Sequence, residues 1–179
     1  MKWVVQYLEE YNATMDLSLS TPTPEAQILS WVPPTTPNFK VNVDGALFSK
    51  SKQSGVGVMV CDEEGNVIAA MSRKMDLPLG ALEMEAKALE IGVKLVEEVG
   101  LRDVVFEGDS QVIINAVHGI GEVEASVQNI IQGVLQKGQC FRTFDVLHIK
   151  RQGNAPANLL AQHAQNVENV VVWLEDCSS

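Results

Sequence analysis

The sequence predicts an α/β domain built on a mixed five-stranded sheet, three antiparallel strands followed by parallel ones, with helices on both faces. Three observations carry this. Three strand-like segments follow one another closely between residues 39 and 72, and strands so close together pair antiparallel. The longest segment with a helical apolar period, residues 81–99, comes only after them. From there on, short apolar runs alternate with helical segments, the pattern of crossovers to parallel strands.

The first strand is "FKVNV", where Phe39, Val41 and Val43 alternate with Lys40 and Asn42, and Asp44 ends it. The second is "GVGVMVC" (55–61) and the third "NVIAAMS" (66–72), joined by the charged turn "DEEGN". Gly55 and Gly57 weaken the second strand on their own, so another element is expected to pack close there. In "ALEMEAKALEIGVKLVEEVG", Met84, Ala88, Ile91, Leu95 and Val99 form one stripe and Gly100 stops the helix. "DVVFEGDS" gives a fourth strand that ends on Asp109. Two helices follow, with Ser110 and Ser126 expected as their caps. "FDVLHIK" is the fifth strand, and "APANLLAQHAQNV" a last helix with Pro156 in its first turn.

The flanks differ in character. Five of the seven prolines (Pro22, Pro24, Pro33, Pro34, Pro37) lie in residues 1–37, which read as a short helix plus a Pro/Ser/Thr-rich linker. The domain is expected over 38–166. A tail over 167–179 either packs back on it or extends it.

Composition narrows the function. The chain has 179 residues, is 46% hydrophobic and only 6% aromatic, so aliphatic side chains must fill the core. A net charge of -10 argues against tight non-specific nucleic-acid binding, which runs on Lys and Arg neutralising phosphates. It leaves room for a metal enzyme, because bound cations reverse the local field. Cys61, Cys140 and Cys177 are odd in number and lack metal-ligand spacing, which favours a reducing, intracellular setting, cytoplasm or nucleus. The N-terminal apolar run is interrupted by Glu9 and Glu10, too short for a secretory signal or a membrane span.

Three acids stand at matching places. A right-handed crossover brings the fourth strand beside the first in parallel, so Asp44 and Asp109 leave the same sheet edge, and Glu85 lies early on the crossover helix. Each has an ordinary reading alone: turn former, solvated helix acid, helix cap. Together, three carboxylates without a basic partner are tolerable with divalent cations between them, and oxygen-only ligands suit Mg²⁺ or Mn²⁺.

Four motifs in order, "KVNVDGA", "EAKALEIGV", "FEGDSQVII" and "RQGNAPANLLAQHA", resemble the ribonuclease H-like superfamily. The plant reverse-transcriptase-like, retroelement-derived branch is the most similar, and "WVPP" at 31–34 resembles its lead-in. In that family the catalytic Glu is followed by Ala at +3, Leu at +4 and Gly at +7. Glu85 satisfies this with Ala88, Leu89 and Gly92, and Glu83 does not. The resemblance implies a ribonuclease H-like fold and two-metal hydrolysis of the RNA strand of an RNA–DNA hybrid. Asp44, Glu85, Asp109 and Asn158 would be the catalytic and metal-binding residues, with Mg²⁺ as cofactor (Mn²⁺ as the alternative). Gly45, Ala46, Ser110, Lys150, Arg151 and Asn154 would meet the substrate. A monomer is expected, with RNA–DNA hybrid or RNA as partner and no membrane or small-molecule cofactor.

The chain departs from the pattern at Asn158, where the family carries a fourth acid. An amide oxygen can ligate Mg²⁺ but brings no charge. The loop before the last helix, "KRQGNAPA", holds no His, and no basic substrate-gripping helix is present, which leaves Lys150 and Arg151, with Arg73 and Lys74, as phosphate contacts. Two other readings stay open: a hybrid- or RNA-binding module that has lost turnover, and a protein-interaction domain on the same fold.

Overall fold

The computed structural model describes Gln6 and residues 38–175. The expected leader therefore lies outside the described residues, except for Gln6. The sheet holds β1 (Phe39–Phe48), β2 (Gln53–Cys61), β3 (Val67–Met75), β4 (Asp103–Gly108), β5 (Thr143–His148) and β6 (Val170–Leu174). The helices are α1 (Ala81–Val99), α2 (Gln111–Val117), α3 (Ala125–Gly138) and α4 (Ala155–His163), with short 3₁₀ turns at Arg151–Asn154 and Ala164–Asn166.

The strand order is β5-β4-β1-β2-β3-β6. β1, β2 and β3 pair antiparallel, and β4 pairs parallel with both β1 and β5. This is the expected mixed sheet with one strand more. The tail adds β6 to the free edge of β3, antiparallel, so the sheet has six strands and not five. β6 is an edge strand, apolar throughout in sequence, whose residues alternate exposed and half-buried, so its packing partner is not written in its own residues.

Both faces are covered. Val41, Val43, Val56, Val58, Val104, Phe106 and Val146 meet α1, α2 and α3 in the main core. On the opposite face, Leu160 joins Met59, Cys61 and Ala70, while Ala161 and Ala164 join Ala46 and Phe48. The two-sided burial explains why Lys40, Asn42 and Asp44 are all buried, although they alternate with the valines. The close approach expected at Gly55 and Gly57 is α4. A Cβ on Gly57 would stand 2.0 Å from the Ala157 carbonyl oxygen, and one on Gly55 2.3 Å from that of Ala161.

Gly100 ends α1 in the left-handed conformation (φ 86°), its N–H donating to the Val96 and Glu97 carbonyls. Two cap expectations are corrected. Ser110 stands at the N-cap position of α2 but makes no side-chain cap hydrogen bond. Ser126 lies inside α3, which starts from Glu124, and its hydroxyl bonds the Glu83 carboxylate instead. Among the described residues no helix is long and apolar enough to cross a membrane.

Candidate active site

Asp44 does not end β1, as expected from the sequence; the strand continues to Phe48. What ends there is its neighbour. β4 pairs with β1 only as far as Asn42–Glu107 and stops at Gly108, so β1 outruns it and leaves one flank of Asp44 open. Asp109, the first residue past β4, fills that flank. Glu85 reaches it from the second turn of α1, which comes close because Gly45 has no side chain. A Cβ there would lie 2.8 Å from Cγ of Met84.

These placements bring one carboxylate oxygen each from Asp44, Glu85 and Asp109 within 4.8 Å of one another. Glu83 is excluded from the group by its own role, since its carboxylate accepts the Gly80 N–H at 3.0 Å and caps α1. Asp44 is 3% exposed. Burial, above all, pushes its carboxyl up to about 6; the Asn158 hydrogen bond opposes that rise and Asp109 adds to it. Glu85 is pushed up to about 8, by burial first and then by the Asp44 and Asp109 charges. The metal-free pocket therefore favours the protonated form of Glu85. The donor set consists of hard anionic oxygens, close enough to share an ion and repelling one another without one. It fits Mg²⁺ or Mn²⁺.

Two further groups complete the rim. The Asn158 amide donates Nδ2–H to Asp44 Oδ2 at 2.6 Å, so the residue at the fourth acid's place relieves the charge it faces. The Arg151 guanidinium, 81% exposed, donates from Nε to Asp109 Oδ2 at 3.0 Å. Asp44, Gly45, Glu85, Arg151, Asn158 and Gln162 line a pocket of about 240 Å³. Gln162 was not singled out from the sequence. Its signal is the spacing of four from Asn158, which places both on one helix face.

The remaining substrate-contact residues divide. Gly45 lines the pocket, Ser110 lines a cleft with Glu85, and Lys150 is exposed. Asn154 is a correction. It is 1% exposed, and its amide is spent inside the protein, donating to the Val43 carbonyl at 2.9 Å and accepting from Asn42 at 3.3 Å. It ties the start of α4 to the strand beside Asp44 and is shielded from any ligand. Ala46 lines the pocket, but its side chain packs on Ala161 and Ala164. Arg73 and Lys74 lie apart, in a groove of about 410 Å³ shared with Lys87 and Lys94. His118 is occupied with the Val146 carbonyl at 2.8 Å, and His163 sits against Trp173.

Comparison with known proteins agrees with this architecture. A family model described as reverse transcriptase-like matches residues 42–164, the span that contains all four acid-position residues. Three solved structures share the fold. The ribonuclease H1 of the halophilic archaeon Halobacterium salinarum is 19% identical with a TM-score of 0.68, covering 72% of this chain and 98% of its own. The N-terminal RNase H domain of a Mycobacterium tuberculosis protein is 18% identical with a TM-score of 0.65, covering 72% and 94%. LC11-RNase H1, solved in complex with an RNA/DNA hybrid, is 22% identical with a TM-score of 0.65, covering 72% and 96%. No curated protein matches the chain.

Proposed function

This chain belongs to the reverse transcriptase-like family of the ribonuclease H-like superfamily, and on that premise we propose that it is a metal-dependent endoribonuclease hydrolysing the RNA strand of RNA–DNA hybrids. The observation that carries the reading is the convergence of Asp44, Glu85 and Asp109 oxygens within 4.8 Å from three separate elements. The LC11 enzyme's complex with a hybrid supports the substrate class. Mg²⁺ is the proposed cofactor, with Mn²⁺ as a substitute. The "WVPP" lead-in favours a plant, retroelement-derived origin, and the odd number and scattered spacing of the cysteines favour cytoplasm or nucleus.

Bound divalent ions supply a Lewis acid for the phosphoryl oxygens and a water of lowered pKa for attack. The chain's own groups do the rest. Asp44, Glu85 and Asp109 would hold the ions, and Glu85 would serve as a ligand in its deprotonated form, because a neutral carboxyl is a poor ligand. Asn158 fixes the Asp44 carboxylate through its amide. Arg151, at the mouth, offers planar donors to a phosphate. Water adds to phosphorus, the bond to the 3′-oxygen breaks, and the products carry a 5′-phosphate and a 3′-hydroxyl. Substrate choice rests on minor-groove shape and 2′-hydroxyls.

A labelled hybrid incubated with the protein in Mg²⁺ and in Mn²⁺ tests this. Metal-dependent cleavage of the RNA strand, lost in Asp44→Asn, is the expected result, and no turnover in either metal would refute it. One observation favours a second reading: Asn158 supplies no fourth charge. Hybrid binding without turnover would assign the domain as a non-hydrolytic binding module.

A further inference from the structure

The three-acid pocket already contains a cation. Arg151 donates to Asp109 at 3.0 Å and lines the same pocket as Asp44 and Glu85. Its guanidinium also interacts electrostatically with both of those acids. It enters from the 3₁₀ turn Arg151–Asn154, immediately before α4. Its anchoring is lopsided: Asp109 shows 9% of its side chain to solvent, Arg151 81%. An ion pair so exposed on one side is weak, whereas a divalent ion coordinated by several carboxylates is held through all of them.

We infer that Arg151 is an exchangeable counter-ion: it neutralises Asp109 in the metal-free protein, is displaced from it when a divalent ion enters, and is thereby released to take a substrate phosphate at the pocket mouth. The inference rests on the metal-binding reading of the acids and extends it to coupling. One guanidinium cannot serve Asp109 and a phosphate equally well, so whatever frees it from Asp109 strengthens its grip on the substrate. By linkage, bound substrate must strengthen metal binding by the same factor. Arginine suits this role because its charge is permanent and its fork fits carboxylate and phosphate alike. The turn that carries it is held independently of the ion pair by the buried Asn154, so the guanidinium can leave without disturbing α4.

The test uses the full chain and Mg²⁺ alone. Calorimetric titration should show Arg151→Gln binding Mg²⁺ about threefold to fivefold more tightly than the parent, the worth of one exposed ion pair. Arg151→Lys, which keeps a charge there, should fall between the two. In the parent, the Arg151 Nε–H resonance should move during the Mg²⁺ titration with the same midpoint. Unchanged or weaker Mg²⁺ binding in Arg151→Gln, or an Nε–H signal that stays put at saturation, overturns the exchange. With a labelled hybrid, the parent's KM should fall more steeply as Mg²⁺ rises than that of Arg151→Gln. A protein that passes the Mg²⁺ and Nε–H measurements yet never cleaves refutes the nuclease reading and keeps the exchange; one that cleaves but fails them does the opposite.

Discussion

Two stretches of the same strand face handle buried polarity in opposite ways. Lys40, Asn42 and Asp44 alternate along β1 and point toward the side that α4 covers. At the lower end every group is answered. Lys40 pairs with Glu107 at 3.0 Å, and Asn42 donates to Glu107 at 3.1 Å and to Asn154 at 3.3 Å. At the upper end, two strand positions on, Asp44 meets Glu85 and Asp109, and the excess of negative charge is opposed by Asn158, the Gly45 backbone N–H and the exposed Arg151. The lower ladder balances its charges and needs nothing from outside. The upper pocket is complete only with cations. A buried acid therefore says little about function by itself. What separates the two regions is whether the protein supplies the counter-charge.

Breaking the upper pocket should give the largest effect. Asp44→Asn removes the central carboxylate and should slow hybrid cleavage by roughly 10³-fold, as expected when several kcal/mol of metal stabilisation is lost. The same substitution should raise the melting temperature in EDTA, because it removes a repelling buried charge. A lower melting temperature would mean that the pocket is not strained.

The lower ladder should respond with the opposite sign. Lys40→Met leaves the half-buried Glu107 without its cation, with only the Asn42 amide still donating to it, and urea unfolding should show a loss of about 3 kcal/mol. Lys40→Met with Glu107→Leu should recover most of that loss. If the double variant is as unstable as the single one, the ladder holds the fold through something other than charge balance.

pH sharpens the contrast. Glu85 is raised from an ordinary 4.5 to about 8 and Asp44 from 3.8 to about 6, so the fold favours their neutral forms. Their stabilisation is complete below the ordinary values and disappears as pH rises through 6 and then 8. The metal-free melting temperature should drop by several degrees between about pH 5 and pH 8.5. Mg²⁺ should restore more of it at the alkaline end, where the ligands are already deprotonated. Equal Mg²⁺ shifts at both ends would contradict this. The smallest change is Asn158→Asp. It should lower the melting temperature in EDTA by about 2–4 °C, and raise Mg²⁺ affinity by up to about tenfold. Hybrid cleavage at saturating Mg²⁺ should be at least as fast as the parent's, and a marked slowing would remove Asn158 from the metal site.

The strands, α1 and the three acids are legible in the sequence because each is written locally. Period-two alternation marks β1, closely spaced apolar runs mark β2 and β3, and the apolar stripe marks α1. The helix pattern of the family the chain resembles, which separates Glu85 from Glu83, spans only eight residues, Glu85 to Gly92. Even the seat for α4 is visible as Gly55 and Gly57. Other features have no local trace. The Asp44–Asn158 bond joins residues 114 apart in sequence, Asn42–Asn154 joins residues 112 apart, and Arg151–Asp109 joins residues 42 apart. A side chain's partner at such separations is set by how elements dock, and no periodicity encodes it. Asn154 accordingly reads as a substrate contact until packing buries it, and the apolar tail is ambiguous until β3 offers it an edge. The sequence by itself determined which elements form and which acids can meet, because backbone preference and apolar period act over a few residues. Only the tertiary structure decided which polar groups are satisfied and which are left in need of a cation, because burial and counter-charge arise from distant segments brought together.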